Sequence, residues 1–259
     1  MENDDPKELK LMSQNRMLLK GKLAFVMGGG KFGTNALKYL KAKCCEVLVA
    51  DLNPDCTAKS EVTVQAAALD VTDSLADGQA AFIVGDAVEL LLALLETKVP
   101  DLVVTAIPGN AVAKVVESWL SKLGCKLEPY RTVIPRILEN IPKSLVSFVD
   151  ENSAVIVVSY MPPHMRCREN CMPPKDVCAS TGRPKLASMD KLLRFSIYNH
   201  ADASIIFRSI QLTGGLGAID GKDLYSLLKR LDCLNKPFTL AIGTACDCHG
   251  ILNLTEVKT

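Results

Sequence analysis

The chain reads as an α/β protein built on a doubly wound parallel sheet, with a cysteine-rich C-terminal extension or smaller lobe. Three observations lead there. Short, continuous apolar runs alternate with helical patterns through the first half. A glycine-rich turn lies between the first such run and the first helix, and an acidic residue closes the second run. Beyond about Pro129, proline becomes frequent and the cysteines cluster.

In chain order, residues 1–21 form a charged N-terminal segment of helical character without the apolar core of a signal peptide. Leu23–Met27 (LAFVM) is a buried parallel strand that runs into Gly28-Gly29-Gly30. Lys31, Phe32 and Gly33 open a helix whose Phe32, Ala36, Leu37 and Leu40 share one face. Glu46–Ala50 (EVLVA) is the second strand, and Asp51 follows it, 23 residues after Gly28.

This order suits a dinucleotide. Gly28 permits the tight turn, Gly30 lets the backbone approach a pyrophosphate, and Gly33 lets helix and strand pack closely. The helix N-terminus turns free N–H groups and a positive dipole end to the phosphates. Asp51 is spaced to bond a ribose diol, which favours NAD(H) over NADP(H). The pattern is Rossmann-like. Tyr39 and Lys43 match a dehydrogenase spacing, but they fall on the first helix, and the match is read as coincidence.

Met27–Gly33, together with VADLNP (49–54), IVGDA (83–87) and DLVVTAIPGN (101–110), resembles the TrkA-N family. These are Rossmann-fold domains that regulate potassium channels and transporters. The resemblance covers roughly the first 120 residues and implies NAD(H) at Gly28, Gly30, Gly33 and Asp51. It also implies Gly85 and Asp86 on the adenine side. The connection from Asp51 to Gly85 is longer than the family's, and Gln65–Asp70 (QAAALD) forms an extra strand or a loop within it. The glycine turn is also similar to that of the dehydrogenase domain of sirohaem synthesis, which the later sequence fits less well. Ala87–Lys98 is a helix, Asp101–Ile107 a strand and Asn110–Leu123 an amphipathic helix. Ile107 and Pro108 end the strand where a nicotinamide or nucleotide edge would lie. The dinucleotide-binding domain is expected over 22–128 and the cysteine-rich region over 129–259.

In the back half, Ala154–Ser159, Ala203–Phe207 and Phe238–Ile242 read as buried strands, and Asp220–Leu231 as a helix. Two windows, MPPHMRCRENCMPPKDVC (161–178) and ACDCHG (245–250), hold five of the ten cysteines and two of the three histidines. They follow strands that, if parallel, would bring them together above one sheet edge. A polar, proline-rich loop is a poor place to bury thiols as small hydrophobes. Cys167, Cys171, Cys178, Cys246, Cys248 and His249 are therefore candidate metal ligands. Cysteines alone can supply four ligands, which favours an iron–sulfur cluster, while zinc stays open. A redox disulfide is a third reading. The windows resemble those of uncharacterised proteins of anaerobic microbes, and no function follows from that. Cys44, Cys45, Cys125 and Cys233 are filler, Cys56 lines a loop, and His200 is a satisfied surface histidine.

With 30 basic and 29 acidic residues, a net charge of +1 and no basic block, nucleic acid and anionic membranes are not expected partners. Mean hydropathy is +0.17, yet the longest apolar helical stretch, Ala87–Leu95, is too short to cross a bilayer. A cytoplasmic location is expected, where ten reduced cysteines suggest metal or redox chemistry. The functional expectation is an NAD(H)-binding protein with a cysteine-ligated metal centre, a possible NAD-dependent oxidoreductase. The alternative is an NAD(H)-sensing module without catalysis, acting on a protein partner; a pure scaffold is a third. A homodimer is expected only by analogy with TrkA-N domains.

Overall fold

The computed structural model describes residues 19–165, 167, 171–172, 174–234 and 236–259. The chain is a mixed α/β protein that divides into two compact units. Most of the expected N-terminal segment lies outside the described residues.

The first unit comprises residues up to Ile107 together with Asp220–Lys222. Its strands are β1 (Leu23–Met27), β2 (Glu46–Asp51), β3 (Val64–Ala66), β4 (Ala80–Val84) and β5 (Leu102–Thr105). They lie parallel in the order β5-β1-β2-β4-β3. In the long connection β3 pairs with β4 at the sheet edge, but it takes in only Gln65 and Ala66 of the Gln65–Asp70 stretch, whose end enters a short 3-10 turn at Leu69–Asp73. β1 is buried at every residue, as expected of a strand covered on both faces. The chain moves outward from β1 through β2, then crosses to β5 on the other side. The order therefore reverses between β1 and β5, where open α/β sheets form a crevice at their carboxyl ends. Helix α1 (Lys31–Ala42) follows β1, and α2 (Ala87–Leu95) follows β4.

The second unit runs from Pro108 to Ile219 and from Asp223 to Thr259. The expected boundary at 128/129 therefore lies too late. Helix α3 (Ala111–Lys122) belongs with the second unit, because its buried cap, Asn110, is tied there. Asn110 accepts from Ala113 N–H and donates from Nδ2 to the Ile242 carbonyl and to Asn253 Oδ1, both at 3.2 Å.

This unit adds β6 (Lys126–Pro129), α4 (Ile134–Glu139), β7 (Val146–Asp150), β8 (Val155–Ser159) and α5 (Met189–Ser196). Further along come β9 (Ala203–Arg208), β10 (Ile210–Thr213), β11 (Leu216–Asp220), α6 (Gly221–Asp232), β12 (Phe238–Ala245) and β13 (His249–Lys258). Its main sheet has the order β7-β8-β13-β12-β9, with β6 beside β13. Only β12 and β9 are parallel; β13 is antiparallel to β12, β8 and β6. The strands before the two cysteine windows, β8 and β12, flank β13 and are both antiparallel to it, so they run in the same direction, as expected, and end at one edge of the sheet. β10 and β11 form a hairpin, and the Gly214–Gly217 stretch is its turn.

The core of the sheet's inner face gathers Ile137, Ile156, Val158, Tyr160, Leu193, Ile206, Leu252 and Leu254. Cys178 is buried in the same cluster. Among the described residues no helix is long and apolar enough to cross a membrane.

The glycine turn shows how tightly the first unit is built. A Cβ on Gly33 would sit 1.8 Å from the Gly28 carbonyl oxygen, whereas one on Gly30 would meet nothing within 4 Å. Gly33→Ala is expected to cost about 3 kcal/mol of stability and Gly30→Ala less than about 1 kcal/mol, read from urea unfolding curves. Equal midpoints for the two variants would contradict this packing.

Candidate functional site

Two sets of residues stand out, one in each unit. In the first unit, Gly28 has φ +97°, a conformation side chains rarely adopt, and a Cβ there would press on Ala106 and on Ile107 Cγ2. The turn is held from inside by Thr34, whose hydroxyl donates to the Gly29 and Gly30 carbonyls at 3.1 and 2.9 Å. With those carbonyls engaged, the start of α1 is left to its amides. Gly30 caps it without a side chain, and no acid lies in the first turn. Thr34 was missed from sequence, although a hydroxyl right after the last glycine of the turn is a readable signal.

Asp51 ends β2 at the same end of the sheet. Its Oδ2 accepts the Gly29 N–H at 2.6 Å and its Oδ1 accepts the Asn53 N–H at 2.8 Å. Each oxygen keeps a second lone pair, so the carboxylate is oriented but not saturated. Lys31 and Phe32 are exposed in the first turn of α1. Gly85 donates its N–H to the Asp51 carbonyl at 3.0 Å. Asp86 caps α2: its Oδ1 accepts from the Val88 and Glu89 amides. Ile107 is half-buried beside the glycine turn. Pro108 is exposed and starts the second unit, where its carbonyl accepts from Lys114 Nζ at 2.9 Å.

Three large apolar side chains at these carboxyl ends lie open: Phe32 is 67% exposed, Leu52 69% and Val84 53%. Val84 is the register partner of Asp51 and Leu52 its neighbour in sequence. An acid, a helix start without a side-chain cap and an apolar rim sit at one end of a parallel sheet.

In the second unit, the two thiol-bearing segments converge. β8 and β13 are paired so that Ser159 lies opposite His249, and the Tyr160 N–H donates to the Cys248 carbonyl at 3.0 Å. The first window therefore leaves β8 beside the turn that carries the second. Cys167 Sγ lies 3.2 Å from His249 Nε2, and Cys246 Sγ 3.8 Å from His249 Nδ1. The Cys246 sulfur also accepts the N–H groups of Cys248 and His249, each at 3.4 Å.

Cys178 lies in a second such turn. Burial raises its thiol pKa, but the Thr181 hydroxyl, the Ser180 and Thr181 amides and the Lys185 charge outweigh that, and the net value falls below the ordinary one. Cys167 is pushed up by burial and then by Cys171, Cys178, Cys248 and Cys246 in turn. Cys248 is raised by burial and by Cys246 and Cys178, although Lys185 opposes the shift. Cys167 and Cys248 thus both feel the charge of neighbouring sulfurs, which disfavours their thiolates without a cation. His249 is held below the usual imidazole value by partial burial and then by Lys185, although the residue as a whole is exposed. A neutral imidazole is the ligand form.

Arg208 braces the turn from outside. It bonds Asp247 Oδ1 at 2.8 Å, between Cys246 and Cys248, and lies 3.6 Å from the buried Asp190 carboxylate. Gln211 Nε2 donates to the Cys171 carbonyl at 3.0 Å. Neither residue stands out in the sequence. Among the described residues, no three His, Cys, Asp or Glu side chains already form a group able to hold a metal ion.

The comparisons follow this division. Residues 23–108 match the family model AF_1314_N, described as an uncharacterized protein's N-terminal domain, and residues 112–258 match AF_1314_C, its C-terminal counterpart. The chain belongs to the AF_1314 family. A protein of Archaeoglobus fulgidus, described as uncharacterized, is 30% identical over 227 residues, covering 88% of this chain and 96% of its own length. No solved structure matches. The two matched stretches meet near Pro108, where the compact units also divide.

The remaining cysteines differ in environment. Cys45 is buried, donates to the Leu19 carbonyl at 3.2 Å and is pushed up to about 12, by burial first and then by Cys44 and Asp101. Cys233 is exposed. His200 meets Asn140 Nδ2 at 3.3 Å on the surface, as a satisfied histidine would. At pH 8, about one in ten thousand Cys45 thiols is ionised. Iodoacetamide followed by peptide mass spectrometry should therefore mark Cys233 fully while Cys45 stays unlabelled, and equal labelling would refute the burial.

Proposed function

We propose that the chain is an NAD(H)-binding protein of redox function whose second unit holds a cysteine-ligated metal centre. The observation that carries the reading is Asp51, oriented by the Gly29 amide at the carboxyl end of a parallel sheet and still able to accept. The TrkA-N resemblance of the same segments supports it.

The residues fit a dinucleotide. The free lone pairs of Asp51 accept the hydroxyls of a ribose diol, and its charge repels a 2′-phosphate. The backbone at Gly30 is open for close approach, so the pyrophosphate lies against the α1 amides. Leu52 and Val84 offer apolar surface to the base. NAD(H), when bound, supplies hydride chemistry.

The second unit fits a thiophilic metal. Cys167, Cys171, Cys178, Cys246, Cys248 and His249 are gathered by strand pairing, and the Cys246 sulfur accepts two backbone amides.

Titration calorimetry tests the first half. Asp51→Ala should weaken NADH binding at least tenfold and narrow the preference over NADPH, with a stability loss of only about 1–3 kcal/mol from the two amides it leaves unpaired. Gly30→Ala should weaken both nucleotides without loss of stability. Unaltered NADH affinity in both variants would remove the assignment. For the second half, elemental analysis of anaerobically prepared protein should find zinc or iron near one site per chain.

A further inference from the structure

The proposed metal centre leaves open which atoms bind, and the assignment below rests on that reading. Cys246 differs from the other four sulfurs in what it faces. Like Cys178 it faces two backbone amides, here those of Cys248 and His249, but the third group turned to it is Nδ1 of the His249 ring. A neutral imidazole carries one N–H. Donation from Nδ1 to an electron-rich sulfur leaves Nε2 with its lone pair bare. That nitrogen is the one lying 3.2 Å from Cys167 Sγ.

Ordinary bond lengths of about 2.3 Å to sulfur and about 2.0 Å to nitrogen place two tetrahedral ligands roughly 3.5 Å apart. Cys167 and Nε2 are close to that edge. Cys246 lies off the other ring nitrogen, and the two nitrogens of one imidazole point away from each other and cannot serve the same ion.

We propose that His249 coordinates the metal through Nε2 beside Cys167, and that Cys246 is a positioning residue whose sulfur sets the tautomer and direction of the ring. Metal-bound histidines are commonly fixed by an acceptor on the second ring nitrogen, and here a cysteine takes the place usually held by a carboxylate or carbonyl. A nitrogen among sulfurs favours a single tetrahedral ion of the zinc type over a cluster held by thiolates alone.

Cobalt(II) loaded into the metal-stripped full chain under anaerobic conditions tests this. The sulfur-to-cobalt charge-transfer absorbance counts thiolate ligands, and chelator competition measures affinity. Cys246→Ser, whose hydroxyl can still accept from Nδ1, should keep the wild-type thiolate count. Cys246→Ala should keep the count but bind roughly 10- to 100-fold more weakly. Cys167→Ser should lose one thiolate, while His249→Ala should keep the count and shift the ligand-field bands. Loss of one thiolate's absorbance in Cys246→Ser would overturn the assignment by making Cys246 a ligand. Iron with labile sulfide in the isolated protein would overturn the single-ion assignment and leave the metal-centre reading standing. A wild-type chain that takes up no metal would end both.

Discussion

The antiparallel pairing of β13 with its two neighbours is the constraint on which the second unit depends. β13 is ten residues long and lies between β12 and β8, so its register is set from both sides. On the β12 side Ala245 faces Gly250, which makes Cys246–Cys248 the hairpin turn. On the β8 side Ser159 faces His249, which brings the loop with Cys167, Cys171 and Cys178 to the same turn. Gly250, Leu252 and Leu254 are buried, and a slip of one residue would turn that set outward and His249 inward. The spacing of thiols and imidazole is thus inherited from apolar burial elsewhere in the sheet.

The two units build their chemistry from different materials. In the first, the backbone does most of it: a turn at positive φ, amides left open at a helix start, and parallel strands ending together. Side chains are few, and Thr34 and Asp51 act mainly by directing that backbone. In the second, side chains carry the chemistry and the backbone tunes them, through amides aimed at the Cys178 and Cys246 sulfurs. Lys185 adds positive charge near Cys178, Cys248 and His249.

How much of this is readable from the chain differs between the halves for a physical reason. A parallel strand covered on both faces must be apolar throughout, so LAFVM, EVLVA and LVVT declare themselves locally. The glycine turn and the acid after the second strand are equally local. β6, β7 and β10 are mostly half-exposed, with no clean alternation, and they exist as strands because a partner is there to pair with. β13 did alternate, but the polar residues between its buried positions hid a strand as long as ten residues. The unit boundary was misplaced because α3 looks like one more helix of the first sheet. Only the bonds from Asn110 to Ile242 and Asn253 show where it belongs.

By itself, the sequence determined the α/β class, the glycine turn with its acid, and the presence of two thiol-rich windows. These are properties of short stretches, written in residue type and spacing. Tertiary structure alone decided that the windows meet, that Asp86 caps a helix, and that His249 stands between Cys167 and Cys246. Those facts depend on strand register across nearly a hundred residues of chain, and register is an outcome of global burial that no local pattern encodes.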